Sequence, residues 1–105
     1  MANTQAANAP SDSPASGMPA LRAIAADTMR IAQSGDLSAA RKRVDDLERD
    51  WSREAPELKS HAPDKWRSLD AAIDRAEREL RFGRVRQTDS VAALQHVVEI
   101  IDSMK

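Results

Sequence analysis

The sequence lacks several residue types and motifs on which catalytic and metal sites depend. It contains no cysteine, which excludes disulfide bonds, thiolate metal ligands and a cysteine nucleophile from this chain. Its three glycines form no phosphate-binding loop, and no serine lies in a nucleophile-elbow motif. No apolar run reaches the roughly 18 residues that span a membrane. We therefore expect neither an enzyme nor a cofactor, and no insertion into a membrane.

Aromatic residues and net charge are also scarce. One phenylalanine, two tryptophans and no tyrosine leave almost no side chains on which nucleic-acid bases would stack. The 16 basic residues balance 17 acidic ones, for a net charge of −1. We therefore expect no nucleic-acid partner, and any charged partner must be met by a local patch of the surface.

The first eighteen residues differ in composition from the rest of the chain. Residues 1–18 are mostly Ala, Asn, Ser and Pro, with nothing apolar larger than Met. Such a segment buries too little apolar surface to offset the entropy cost of ordering it, which predicts a disordered tail before a folded domain at 19–105. The tail shows no basic region followed by an apolar stretch. It fits either a natural cytoplasmic start or the remainder of an exported chain after removal of its signal.

Four segments of the domain repeat apolar residues at alternating spacings of three and four. This period places the apolar side chains on one stripe of an α-helix, and no segment alternates with the period of two that is typical of a strand. The predicted helices span residues 19–34, 37–55, 63–82 and 89–104. Because the connections are short, neighbouring helices should be antiparallel. The sequence predicts an all-α fold, an up-down-up-down four-helix bundle.

The residues between these segments are typical of helix ends and starts: Gly35, Asp36, Pro56, Pro63, Gly83, and Thr88 or Asp89. Asp36 is the expected N-cap of the second helix. Pro56 disfavours helical geometry at the preceding residue and should end that helix. Trp51 and Trp66 then lie on either side of a loop at 55–63. We expect the two indoles to meet in one layer of the core, beneath this loop.

These residues carry a resemblance to a protein family. The pattern LExxW…L…W…LDxxID…LR is formed by Leu47, Glu48, Trp51, Leu58, Trp66, Leu69, Asp70, Ile73, Asp74, Leu80 and Arg81. It resembles small exported helical proteins of proteobacteria, a family of unknown function. The resemblance implies a four-helix domain behind a loose tail and a periplasmic location, with the cytoplasm as the alternative. It implies no activity.

The tryptophan end of the predicted bundle gathers candidate metal ligands, namely Asp50, Glu54, His61 and Asp64. Asp50 and Glu54 are four residues apart and share a helix face. His61 adds the nitrogen ligand that zinc, copper or nickel favours. The alternative is an ordinary solvated surface, because basic residues intermingle with these acids and their spacing matches no known metal motif.

The opposite end of the predicted bundle is basic. In an antiparallel pair of helices, one cluster at the start of the second helix lies beside another at the end of the third: Arg41, Lys42, Arg43, Arg81, Arg84 and Arg86. This end is a candidate site for a phosphate, an acidic protein surface or a lipid head group. The alternative is that these side chains pair with neighbouring acids, and surface pairs of that kind contribute little stability.

The fourth predicted helix is more apolar than a bundle core requires. Its apolar stripe comprises Val91, Leu94, Val97, Val98, Ile100 and Ile101. Surplus apolar surface on an outer helix favours a protein partner or a homodimer. The sequence thus indicates a non-enzymatic binding or accessory module. Two alternatives remain, a metal- or ligand-sensing domain that uses the acidic end and an interaction adaptor that uses the basic end or the fourth helix.

Overall fold

The computed structural model describes residues 17–104, and this part of the chain forms four α-helices and no strand. They are α1 (Gly17–Gln33), α2 (Leu37–His61), α3 (Pro63–Arg81) and α4 (Gln87–Ser103). The helices form a ring in which α1 packs against α2 and α4, and α3 packs against the same two helices. Short connections make consecutive helices antiparallel. The predicted all-α four-helix fold is confirmed.

The first helix begins earlier than the sequence predicts. Most of the tail predicted at 1–18 lies outside the described residues, but Gly17 and Met18 already belong to α1. The backbone N–H of Gly17 donates a hydrogen bond of 2.7 Å to Oε2 of Glu54. Because the first N–H groups of a helix have no partner within the helix, this carboxylate stabilises the start of α1.

The predicted end of the second helix at residue 55 is wrong. α2 continues through Pro56 to His61, and Ala62 alone separates it from α3. Proline removes one backbone hydrogen bond and crowds the preceding turn, which normally ends a helix. Here Ala55 and Leu58 pack against the core on either side of the proline. We infer that this burial offsets the local cost, so the helix continues.

Replacing Pro56 with alanine should therefore stabilise the protein. Alanine restores a backbone N–H and relieves the crowded turn, which should raise the free energy of unfolding by roughly 2–3 kcal/mol after allowance for the freer unfolded chain. Urea denaturation followed by circular dichroism measures the change. The matched control is Pro63→Ala, because Pro63 lies in the first turn of α3, where its missing N–H costs nothing. A loss of stability in Pro56→Ala, or an equal gain in both variants, would contradict this explanation.

The remaining helix ends agree with the sequence in part. Asp36 is the N-cap of α2, as predicted, and its side chain accepts a backbone hydrogen bond of 3.0 Å from the first turn. Gly83 has a φ of 68° and follows α3, which is the left-handed geometry expected of a stop. The predicted cap of the fourth helix is wrong. Arg86 is the N-cap of α4 without a side-chain bond, and Thr88 and Asp89 lie within the first turn.

The core runs along the axis of the ring and is aliphatic. Its largest fully buried apolar side chains come from all four helices: Leu21, Val44, Leu47, Leu69, Ile73, Leu80, Leu94, Val97 and Ile101. Three polar side chains among the described residues are also buried in it, those of Thr28, Asp50 and Ser90, and Asp50 is the charged one among them. This packing fixes the register between α2 and α3, on which the charged clusters of the surface depend.

Candidate functional site

The two tryptophans occupy different levels of the bundle. Trp51 is 6% exposed, and its indole N–H donates a hydrogen bond of 2.9 Å to Oδ1 of Asp70. Trp66 is only partly buried, and the ammonium of Lys59 lies 4.6 Å from its ring centroid. Lys59 follows Trp51 by two helical turns, about 12 Å along α2. The core position predicted for Trp51 is confirmed, whereas the predicted shared layer is wrong because α2 extends past Pro56.

The candidate metal ligands of the acidic end are engaged separately. Asp50 accepts a hydrogen bond of 2.6 Å from Arg53, and Glu54 is bonded to the start of α1. Asp64 is exposed and lies 3.3 Å from a guanidinium nitrogen of Arg67. Within residues 17–104, no three His, Asp or Glu side chains are arranged to hold a metal ion. The four predicted ligands are therefore engaged with separate partners in this structure, and a metal site formed by them stays a hypothesis.

A shallow cavity does exist at this end, between the start of α1 and the end of α2. It encloses about 250 Å³, and its lining includes Glu54, Glu57 and His61 but neither Asp50 nor Asp64. One ring nitrogen of His61, Nδ1, lies 2.9 Å from the backbone carbonyl of Glu57. The cavity thus brings together two of the four predicted metal ligands, Glu54 and His61, and one carboxylate that is not among them, that of Glu57.

Two of the basic candidates are held in ion pairs. Arg43 lies 2.9 Å from Asp27 and 2.7 Å from Asp46, and the hydrogen bond with Asp46 raises the pKa of this guanidinium above its usual value. Arg81 pairs with Asp45 and lies 3.4 Å from an oxygen of Glu48. The alternative interpretation of the basic end as an ion-paired surface is therefore correct for these two arginines.

The other four basic candidates are exposed and form no ion pair within the described part of the chain: Arg41, Lys42, Arg84 and Arg86. Arg41, Lys42 and Arg81 line a cleft of about 490 Å³, together with Ser38 and Asp45. Arg84 and Arg86 belong to the loop that follows Arg81. We call the six basic residues predicted to lie together the basic end, and the structure confirms that they share one end of the bundle.

Phe82 is a feature of the basic end that the sequence analysis missed. It is 67% exposed, and no other large hydrophobic side chain among residues 17–104 is exposed. It follows the ion-paired Arg81 and precedes Gly83, so it stands at the beginning of the loop that carries Arg84. A signal was present in the sequence, since the chain's one phenylalanine lies outside the apolar stripe of its helix and beside a helix-ending glycine.

A second unpredicted feature is a cleft of about 230 Å³ between α2 and α3, which we call the carboxylate cleft. Its acidic residues are Glu48, Asp70, Asp74 and Glu77. Burial, then a hydrogen bond with Glu48 and repulsion from Asp74 and Asp70, raises the pKa of Glu77 to about 7. Oε2 of Glu77 has no hydrogen-bond partner and exposes less than 1 Å². Sequence spacing did not reveal this cluster because it depends on the register between two helices.

The apolar stripe of α4 is largely covered. Leu94, Val97, Val98 and Ile101 are buried in the bundle, and Val91 and Ile100 are partly buried. The solvent side of α4 carries Gln95, His96 and Glu99. Little of the surplus apolar surface therefore remains available to a partner, and a homodimer through α4 stays a prediction.

None of the helices described is both long and apolar enough to cross a membrane. Comparison with models of protein families, with curated proteins and with solved structures finds no match to this chain.

Proposed function

We propose that this protein is a non-enzymatic binding module that recognises an anionic partner with its basic end. The observation that carries the proposal is the distribution of ion pairs. Nine arginines lie within 4 Å of an acidic side chain: Arg22, Arg30, Arg43, Arg49, Arg53, Arg67, Arg75, Arg78 and Arg81. The three that form no such pair are Arg41, Arg84 and Arg86, and all three belong to the basic end.

The chemistry of these side chains suits an anion. An unpaired guanidinium presents donors in a planar fork that matches the oxygens of a phosphate or a carboxylate. Lys42 adds a further exposed cation beside Arg41. Two acidic residues at this end reduce the local positive charge. They are Asp36, the N-cap of α2, and Asp89, in the first turn of α4. Positive charge remains in excess at this end. Because the whole protein has a net charge of −1, only such a local excess could attract an anion.

The raised pKa of Glu77 in the carboxylate cleft has a structural cause and requires no catalytic role. A pKa near neutrality would suit a general acid or base, which must come within hydrogen-bond reach of its substrate. The unpartnered oxygen of Glu77 is enclosed by the protein instead. Its raised pKa is explained by burial among other carboxylates.

The proposal is tested with inorganic polyphosphate as the anionic probe, in an isothermal titration at low and at moderate salt. The wild-type protein should bind, and its affinity should fall as salt rises because screening weakens exposed charges. A variant that combines Arg41→Gln, Lys42→Gln, Arg84→Gln and Arg86→Gln should bind at least about tenfold more weakly, since it loses the four unpaired cations of the basic end.

The matched control removes four positive charges elsewhere, through Lys59→Gln, Lys65→Gln, Arg67→Gln and Arg75→Gln. It should retain most of the affinity, because its changes lie at exposed positions of α2 and α3 outside the basic end. Equal weakening in both variants would show that total charge, not the basic end, governs binding. Absence of binding by the wild type would overturn the proposal.

The proposal keeps the extracytoplasmic location that the sequence resemblance implies. Fractionation of a bacterium that expresses the natural gene with its own upstream sequence tests this part. Recovery with periplasmic markers supports it, and recovery with cytoplasmic markers contradicts it.

A further inference from the structure

The exposed Phe82 and the unpaired cations of the basic end lie at the same end of the bundle. Phe82 begins the loop that joins α3 to α4, and Arg84 and Arg86 belong to the same loop. Arg81 connects this loop to the cleft that Arg41 and Lys42 line. One short loop thus carries an exposed aromatic side chain, Phe82, and two exposed arginines, Arg84 and Arg86.

We propose that the basic end docks on an anionic lipid surface, with Phe82 inserted among the lipid head groups. This inference rests on the proposed function, because it names the anionic partner that the basic end recognises. Segments that lie at a membrane interface combine Trp, Phe or Leu side chains, which enter the boundary between head groups and acyl chains, with Lys and Arg side chains, which are attracted to anionic lipids. Since no described helix crosses a membrane, the association is peripheral, with the end of the bundle facing the lipid.

The arrangement of the charges favours a lipid surface over an acidic protein. The unpaired cations come from two separate segments, the beginning of α2 and the loop before α4. The cleft of the basic end is lined by Ser38, Arg41, Lys42, Asp45 and Arg81, and Phe82 is not part of its lining. A protein hot spot usually packs an aromatic anchor within a ring of contacts that exclude water. A broad anionic surface instead meets dispersed cations together and accepts a protruding ring without a matching pocket.

The number of cations sets the expected strength. Basic clusters that bind anionic membranes contain about four to eight Lys and Arg residues, and each contributes about a fivefold increase in affinity. The four unpaired cations therefore place this surface at the weak end of that range. Association should be reversible, sensitive to salt, and dependent on the additional contact made by Phe82.

The test is co-sedimentation of the protein with two kinds of vesicle, one of phosphatidylcholine alone and one in which about a third of the lipid is phosphatidylserine. The wild-type protein should bind the anionic vesicles and not the neutral ones. Phe82→Ala should weaken vesicle binding by about five- to twentyfold, because it removes the inserted apolar surface. It should leave polyphosphate binding unchanged, since polyphosphate has no apolar region for the ring to enter.

Two further variants make the test decisive. Phe82→Trp keeps an aromatic ring and should retain vesicle binding. The variant that neutralises the four unpaired cations should lose both vesicle and polyphosphate binding. Phe82 is exposed, so its replacement leaves the core intact, and circular dichroism confirms folding of each variant.

The outcomes separate the lipid inference from the proposed function. Polyphosphate binding without vesicle binding would overturn the lipid surface, keep the proposed function, and direct the search to an acidic protein. Vesicle binding that Phe82→Ala does not weaken would overturn insertion of the ring. Failure to bind either probe would overturn both proposals.

Discussion

Replacing Trp51 with alanine should lower the free energy of unfolding by about 3–5 kcal/mol, the usual cost of removing a buried tryptophan. Trp51 packs in the core at 6% exposure. Its truncation leaves a cavity between α2 and α3, and it also removes the donor that hydrogen-bonds Oδ1 of Asp70 at 2.9 Å. Since Asp70 lies in the carboxylate cleft, the loss of this donor adds to the cost of the cavity.

The matched control is Trp66→Ala, which removes the same side chain from a partly buried position. Its cost should be roughly 1–2 kcal/mol, from partial burial and from the contact with the ammonium of Lys59. Urea denaturation followed by circular dichroism compares the two variants. An equal decrease in the free energy of unfolding in both variants would contradict the deeper burial of Trp51. A larger decrease in Trp66→Ala would show that Trp66 is the more important core residue.

Replacing Glu77 with glutamine should stabilise the protein above neutral pH. Burial and the neighbouring Glu48, Asp74 and Asp70 raise the pKa of Glu77 from its ordinary 4.5 to about 7. Below pH 4.5 the carboxyl is protonated in both the folded and the unfolded state. Above pH 7 it is ionised in both, and the folded state bears the cost of a crowded charge. The stability that this group contributes is therefore lost as the pH rises from 4.5 to 7.

The expected gain in Glu77→Gln at pH 8 is on the order of 1–2 kcal/mol, after allowance for solvent screening of a partly buried group. Near pH 4 the variant and the wild type should be about equally stable. The matched control is Glu79→Gln, which removes one charge from the same helix at a site 3.8 Å from Arg75. The result that contradicts this account is a gain in Glu77→Gln that does not depend on pH, or the same gain in Glu79→Gln.

The helices were predictable from the sequence because apolar periodicity reports directly which face of a segment is buried. The end of α2 was not predictable. The rule that proline ends a helix considers only the neighbouring residues, whereas the continuation of α2 past Pro56 depends on packing against other helices. Ala55 and Leu58 contact a core formed by other helices. Whether the proline ends the helix depends on how much free energy is gained by burying these two residues. That gain depends on the packing of the other helices and cannot be read from the local sequence.

The error at Pro56 also accounts for what was missed at the charged sites. Ending α2 at residue 55 would place Trp51 opposite Trp66, whereas the longer helix places it opposite Asp70, one turn further along α3. This register brings Glu48 and Glu77 into one cleft, although they are 29 positions apart in the chain. Carboxylates that meet only through such a register leave no spacing pattern in the sequence.

The location of the basic end was predictable, but its division into paired and unpaired cations was not. Antiparallel helices place the six residues together whatever the details of their side chains. Arg43 is paired because Asp27 of α1 and Asp46 lie within reach, and Arg81 because Asp45 does. These contacts depend on how α1 and α3 are rotated against α2, which periodicity alone does not determine.

The most direct test of the basic end is an amide-resolved NMR titration of the full chain with inorganic polyphosphate. We expect shifts that cluster at Arg41, Lys42 and residues 82–86, with little change around the cavity of Glu54, Glu57 and His61. Such a map would locate anion recognition at the unpaired cations. Shifts centred on that cavity, or a spectrum that polyphosphate leaves unchanged, would show that the basic end is not a surface that binds anions.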